Sequence, residues 1–203
     1  GVPFGVVLNK SAKRFYDEGE DFWPKRYAIW GRLVASQPDQ IAYAIVDSEG
    51  VERFMPSVFA PIADDTIEGL ASKLSIDPVA AKNTVDAFNA ACPDGPIDQM
   101  SLDGKTTKGL TPEKSNWSAP ISKPPFFGYP LRPGITFTYM GVAVNDRAQV
   151  LMKDGKPAAN LFAAGEIMAG NVLGQGYLGG IGMTIGGVFG RIAGAEAARV
   201  LNR

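Results

Sequence analysis

Residues 161–203, LFAAGEIMAGNVLGQGYLGGIGMTIGGVFGRIAGAEAARVLNR, decide how the rest of the chain is read. The apolar run ending in Phe162-Ala163-Ala164-Gly165-Glu166 predicts a buried strand. A glycine-dense loop follows over 170–182, and 182–201 predicts a helix through Ile185, Val188, Phe189 and Ile192. In that helix Gly182, Gly186, Gly190 and Gly194 recur every fourth residue and so share one face. Each costs about 1 kcal/mol relative to alanine in a helix interior. Close approach of another backbone, or of a flat ligand, would offset that cost. The helix N-terminus also carries free N–H groups and the positive dipole end, which can hold an electron-rich oxygen. Two readings stay open: a ligand seat, or tight helix-on-sheet packing with no ligand.

Working outward, Asp154-Gly155 marks a hairpin turn before that strand, and 135–144 alternates as another strand. An apolar stretch over 125–129 leads into Pro130-Leu131-Arg132-Pro133-Gly134. Residues 93–124 are polar and rich in Pro, Gly, Lys and Thr, and read as a long surface loop. Asp77-Pro78 opens a helix over 79–91, with cap and proline in the expected order. Asp65-Thr66-Ile67-Glu68 opens another with an acidic N-terminus. Residues 41–47, IAYAIVD, read as a strand closed by the turn Ser48-Glu49-Gly50. Asp21-Phe22-Trp23-Pro24, followed by KRYAIWGRLVASQ, predicts a helix with proline in its first turn. Residues 4–9, FGVVLN, read as a short strand, with Lys10-Ser11-Ala12-Lys13 as its turn. The order is α/β, without internal repeats.

The 203 residues suffice for one domain or two small ones. A net charge of −1 gives no footprint for nucleic acid or an anionic membrane. No apolar run is long enough to span a bilayer, and no secretory leader is visible at the start. The single cysteine, Cys92, cannot form an internal disulfide and reads as a semi-buried thiol in a reducing cytoplasm. The chain contains no histidine. That excludes a Ser-His-Asp or Cys-His nucleophile within it and any His-bearing zinc site. Proton transfer must use Arg, Tyr, Lys, Asp or Glu.

The words LFAAGE, LGQGYLGGIGM and FGRIAGAEAA resemble the C-terminal flavin segment of the fumarate reductase and succinate dehydrogenase flavoproteins, which the 3-ketosteroid Δ1-dehydrogenases share. GEIMAGNVLGQGY followed by GMTIG is most similar to the tricarballylate dehydrogenase members of that family, as are LNKSAKRFYDEGEDFWPKRYA and LRPGITFTYMGV. The resemblance implies FAD as cofactor. It implies an α+β capping (substrate) domain over 1–132, then the C-terminal strands and helix of a Rossmann-like FAD domain over 133–203, with substrate between them. The family's fingerprint for the ADP half is not found. Gly180, Gly182 and Gly186 mimic it, but Ile185 stands where its last glycine belongs. The resemblance therefore implies that the N-terminal FAD-binding half lies outside these residues.

Carried over position by position, the resemblance implies that Glu166 hydrogen-bonds FAD and that backbone at Gly180, Ile181, Gly182 and Met183 meets the flavin ring. Tyr177 stands where fumarate reductases carry a carboxylate-clamping arginine; tyrosine there is the ketosteroid dehydrogenase pattern. A phenol donates one hydrogen bond and cannot fork a carboxylate. Phe22 occupies the position of the proton-donating arginine of fumarate reductases, and Arg26, one turn on, is the catalytic or carboxylate-binding candidate. Phe137 falls where those enzymes hold a substrate-binding histidine. Arg132, between two prolines, and Tyr139 are substrate-binding candidates. Bland readings stand beside each: a strand-end carboxylate for Glu166, a loop-tip aromatic for Tyr177, a solvated helix arginine for Arg26, a hinge salt bridge for Arg132 and a core aromatic for Tyr139. Lys25 reads as surface charge.

The implied activity is oxidation of a CH–CH bond next to a carboxylate, tricarballylate to aconitate, with electrons leaving to a separate acceptor. A ketosteroid-type dehydrogenase is the alternative within enzymes. A non-catalytic fragment that binds a partner chain is the alternative outside them, and the isolated chain is expected to be inactive.

Overall fold

The computed structural model describes residues 1–174 and 176–202; Gln175, within the glycine loop, lies outside them. The chain divides into two compact units, residues 1–133 and 134–203.

In the first unit, strands β1 (Val6–Asn9), β2 (Ala42–Val46), β3 (Ile62–Asp64) and β4 (Phe126–Leu131) form an antiparallel sheet in the order β1-β2-β4-β3. Side chains alternate across a strand, and both faces here are apolar. Val6, Leu8, Tyr43 and Ile45 pack on one side with Ile67, Leu70, Leu74, Val85 and Phe88. Those partners come from helix α3 (Ile67–Lys73) with its C-cap Leu74, and from α4 (Pro78–Ala91). Val7, Ala42 and Ala44 pack on the other side with Trp30 and Val34 of α1 (Trp23–Ala35). Burial on both faces explains why β1 and β2 read as continuous apolar runs.

The helix starts follow local chemistry. Thr66 accepts from Gly69 N and Asp77 from Ala80 N, each as an N-cap. Three expectations change. Residues 48–50 are not a bare turn but part of a one-turn helix, α2 (Ser48–Val51), because Asp47 caps it through Gly50 N. The first strand begins at Val6, after a 3₁₀ turn over Val2–Phe4. Residues 93–124 hold no helix or strand, yet they are more than a surface loop: Thr107, Lys114, Asn116, Trp117, Ser118 and Ile121 are buried. Side chains supply what a sheet would have: Asn116 donates to Gly19 O, and Asp17 accepts from Ser115 N and from its hydroxyl.

Lys114 is buried 1 % exposed, its Nζ donating to Gly5 O at 2.8 Å and lying 5.6 Å from the Phe88 ring centre. Burial pushes its ammonium down to about 8 from 10.5, against the pull of Glu18. The folded state therefore binds fewer protons than the unfolded one between these values. Stability rises as pH passes from 8 to 10.5 and is lost as pH falls through 8. The expected gain is about 3 kcal/mol. Urea denaturation of wild type and Lys114→Met across that range checks it, since the variant should lose this pH slope.

The second unit contains the hairpin β5 (Gln149–Leu151) and β6 (Pro157–Phe162), a 3₁₀ turn over Glu166–Asn171, and α5 (Ile181–Leu201). The hairpin forms around Asp154-Gly155, where Gly155 has φ +78° and Lys156 N bonds Asp154 Oδ1. Met168, Ala169 and Ile185 form its core, with Phe137, Val142, Leu173 and Phe189 packed against them. Glu196 is buried and binds Arg147 and Arg199.

Residues 135–144 do not form the alternating strand expected. Their amides find other acceptors: Thr138 N bonds Glu166 Oε1, Val142 N bonds Ile167 O and Val144 N bonds Asn171 Oδ1. One isolated bridge, Val144 to Val150, is all the pairing there. The strand through Leu161 is mostly exposed rather than buried, Leu161 itself at 51 %. No described helix is long and apolar enough to cross a membrane.

Candidate functional site

The start of α5 is set by Gly180, which turns left-handed at φ +87° and offers no side-chain cap. Ile181 N bonds Leu178 O, and Thr184 N bonds Gly180 O. Among the described residues, the amides of Gly182 and Met183 between them donate to nothing. The first turn carries no acidic residue to offset the positive end of the helix. The Met183 side chain is 87 % exposed.

Aromatic rings crowd this terminus. Phe137 lies 4.8 Å from Tyr177 and 5.8 Å from Tyr139, centre to centre. A Cβ on Gly182 would stand 3.0 Å from the Phe137 ring and 3.3 Å from the Tyr177 hydroxyl, so glycine there makes room for both. The Tyr139 hydroxyl donates to Gly176 O at 2.5 Å. Burial, and then Tyr177 beside it, push the Tyr139 phenol up, which keeps it protonated at neutral pH.

Glu166 opens the 3₁₀ turn four residues beyond the end of β6, and is exposed rather than held at the end of a buried strand. Its Oε1 accepts both Thr138 N, at 2.8 Å, and Thr138 Oγ1, at 3.0 Å. Thr138 is flanked by Phe137 and Tyr139. Glu166, Thr138, Phe137, Tyr139, Tyr177 and Gly182 thus form one connected set. The other glycines of the α5 stripe differ: Gly186, Gly190 and Gly194 have nothing within 4 Å of a Cβ position. Their spacing does not reflect packing within the described residues.

Arg26 lies on α1 in the first unit. Its Nη2 is 3.2 Å from Glu20 Oε1, and its Nε is buried with no hydrogen-bond partner among the described residues. Lys25 pairs with Asp21 as a surface ion pair. Phe22 is the helix N-cap and packs on Trp117, ring centres 5.6 Å apart. Arg132 is exposed and donates to Asp39 O at 3.3 Å; that contact is to a carbonyl, not the hinge salt bridge considered for it. Cys92 is half-buried, its thiol donating to Phe88 O, and burial pushes its pKa up to about 11.

Two residues escaped the sequence reading. The sequence marks Phe137 only as an unfit substitute for histidine, yet it is the ring both tyrosines pack on. Its signal was the Phe137-x-Tyr139 spacing, which survives without a strand. Glu20 carried no signal beyond its charge.

The set at α5 fits the ring end of a flavin: two free amides at an uncompensated helix terminus, beside aromatic side chains. The sequence supplies no matching cradle for the pyrophosphate. The chain is 29 % identical over 205 residues to a urocanate reductase of Eggerthella lenta, covering 95 % of this chain and 31 % of that protein. Its fold is similar to the open conformation of a flavocytochrome c3 fumarate reductase, at a TM-score of 0.71 and 27 % identity, over 97 % of this chain and 32 % of that one. It is also similar to 3-ketosteroid-Δ4-(5α)-dehydrogenase from Rhodococcus jostii, at a TM-score of 0.63 and 26 % identity, over 97 % and 39 % of the two chains. The chain thus spans about a third of the length of these relatives. Over residues 3–183 it matches the family described as FAD binding domain, and it belongs to that family.

Proposed function

We propose that this chain is part of an FAD-dependent oxidoreductase that acts on a CH–CH bond next to a carboxylate or carbonyl. The observation that carries the reading is the start of α5, where the amides of Gly182 and Met183 are free and Gly182 adjoins Tyr177. In this reading residues 1–132 are the substrate-binding cap and 133–203 the flavin-facing segment. The ADP-holding half of the site lies on residues outside these 203. The exposed apolar side chains of the second unit, Ile135, Met140 and Met183 among them, support a covering partner for it.

When bound, FAD supplies a two-electron hydride acceptor. The Gly182 and Met183 amides would hold the ring's electron-rich edge, where hydrogen-bond donors favour acceptance of negative charge. Glu166 would hold the cofactor through its second oxygen, the first being taken by Thr138. Gly180 and Ile181 shape the backbone there. Tyr177 donates from its hydroxyl to a substrate oxygen, and Tyr139 lines the same wall. Arg26 and Arg132 bind substrate carboxylates, with Arg26 also the candidate for moving the α-proton. Tricarballylate, giving aconitate, is the substrate favoured by the resemblance. Electrons would leave to an acceptor outside these residues, whose one cysteine and no histidine provide neither a haem nor an iron–sulfur ligand set. The single thiol is consistent with a cytoplasmic setting.

A ketosteroid-type substrate is the second reading, favoured by Tyr177 in place of an arginine and by the similarity to the Rhodococcus enzyme. Three carboxylates need cationic partners, whereas a steroid needs an apolar slot. In the FAD-loaded full-length protein, Arg26→Ala and Arg132→Ala should each raise KM for tricarballylate about 10- to 100-fold. If neither does so while a 3-ketosteroid is turned over, the tricarboxylate reading is wrong. If neither compound is oxidised by a flavin-loaded preparation, the non-catalytic binding module replaces both.

A further inference from the structure

We propose that Glu20 is the positioning residue of Arg26, with Tyr16 as its anchor; the inference rests on the reading of Arg26 as a carboxylate-binding arginine. Glu20 uses its two oxygens in opposite directions. Oε1 lies 3.2 Å from Arg26 Nη2, while Oε2 accepts the Tyr16 hydroxyl at 2.8 Å. Tyr16 in turn stands edge-on to Trp30, with ring centres 5.9 Å apart. Trp30 is buried at 6 % exposure in the core beneath β1 and β2. A continuous line of contacts therefore runs from the core to the guanidinium.

An unsupported arginine on a helix samples many rotamers, and binding a carboxylate must freeze them. Glu20 removes part of that freedom before any ligand arrives. It does so without consuming the group, because the ion pair engages Nη2 and the Arg26 side chain stays 37 % exposed. The neighbouring charges are spent elsewhere: Asp21 accepts from Phe22 N and from Lys25. Tyr16 is suited to its part, since burial and then Glu20 push its phenol up, and it remains a donor through neutral pH.

The test uses the FAD-loaded full-length protein and aconitate, which the oxidised protein cannot oxidise further, as a calorimetric probe of binding. Arg26→Ala should weaken aconitate binding by about 10-fold or more, and Glu20→Ala by roughly 3- to 10-fold. The double variant should bind no worse than Arg26→Ala alone. Glu20→Gln, which keeps an acceptor for Arg26, should recover affinity to within about twofold of wild type. Tricarballylate turnover should show a raised KM for Glu20→Ala that Glu20→Gln recovers, which a merely structural role would not produce. Tyr16→Phe should weaken binding less than Glu20→Ala, and it serves in its place if Glu20→Ala does not fold. Unchanged or tighter binding by Glu20→Ala, or a double variant whose losses multiply, overturns the positioning role and leaves Arg26 its function. Unchanged binding by Arg26→Ala overturns the assignment of Arg26, and this inference with it.

Discussion

Glu18→Ala should lower the stability of the first unit by about 4 kcal/mol, the range seen when one member of a buried ion pair is removed. The Glu18 side chain has no exposed surface, and Arg14 opposite it retains 5 %. Glu18 Oε1 accepts from Val7 N at 2.9 Å and from Arg14 Nε at 3.0 Å, and Oε2 from Arg14 Nη2 at 2.5 Å. The fork is bidentate and the remaining Arg14 nitrogen donates to Pro112 O, so the pair is fully satisfied where it sits. Alanine leaves a guanidinium in the core without its counter-ion, and the Val7 amide of β1 without an acceptor. Urea denaturation followed by tryptophan fluorescence reads the loss. Glu18→Gln should fall between the two, because it keeps an acceptor but not the charge. A loss below about 1 kcal/mol for alanine would make the pair no better than a surface ion pair.

Gly170→Ala should disrupt the second unit and, with it, retention of FAD. A Cβ at this position would stand 2.3 Å from the Tyr139 carbonyl oxygen, and backbone cannot swing aside as a side chain can. Overpacking of this kind costs about 3 kcal/mol. The strain falls on the residue that links Phe137 to Gly176, so the aromatic set beside Gly182 must shift. The expected result is a full-length protein that loses its yellow cofactor on gel filtration while the first unit still melts normally. Full flavin retention would mean that the position of Tyr139 does not govern the cofactor seat. Gly186→Ala is the matched control, since nothing lies near its Cβ position and alanine favours the helix there.

What could be read in advance followed from how local the deciding forces are. The helix at Asp77-Pro78 was legible from its cap and proline, and the one after Asp65 from its acidic first turn, because those signals lie within a few residues. β1 and β2 were legible because a sheet covered on both faces leaves a continuous apolar run. Residues 135–144 misled because alternation describes where side chains point, not where amides find acceptors; here those were Glu166, Ile167 and Asn171. The segment 93–124 misled because its composition is polar, while its buried lysine and asparagine are satisfied by residues about a hundred positions away. At the candidate site, the glycine loop and helix start stood out in the sequence. The Phe137 hub and the Glu20 contact did not, since Phe137 meets Tyr177 only through the fold and Glu20 precedes the helix that carries Arg26.

The strand order of the first unit has a consequence for how the chain is made. β3 joins the sheet only through β4, and β4 lies more than sixty residues later in the chain. A nascent chain that has emerged as far as α4 holds the β1-β2 pair with an unprotected β2 edge, and a β3 segment with nothing to pair with. Non-local pairings of this kind are slow to form, and a waiting strand edge invites the wrong neighbour. The polar stretch between α4 and β4 is therefore also a delay line: its length sets how long that edge stays open at the ribosome. Shortening it would shorten that wait, but only by removing the buried contacts that Lys114 and Asn116 make with Gly5 and Gly19.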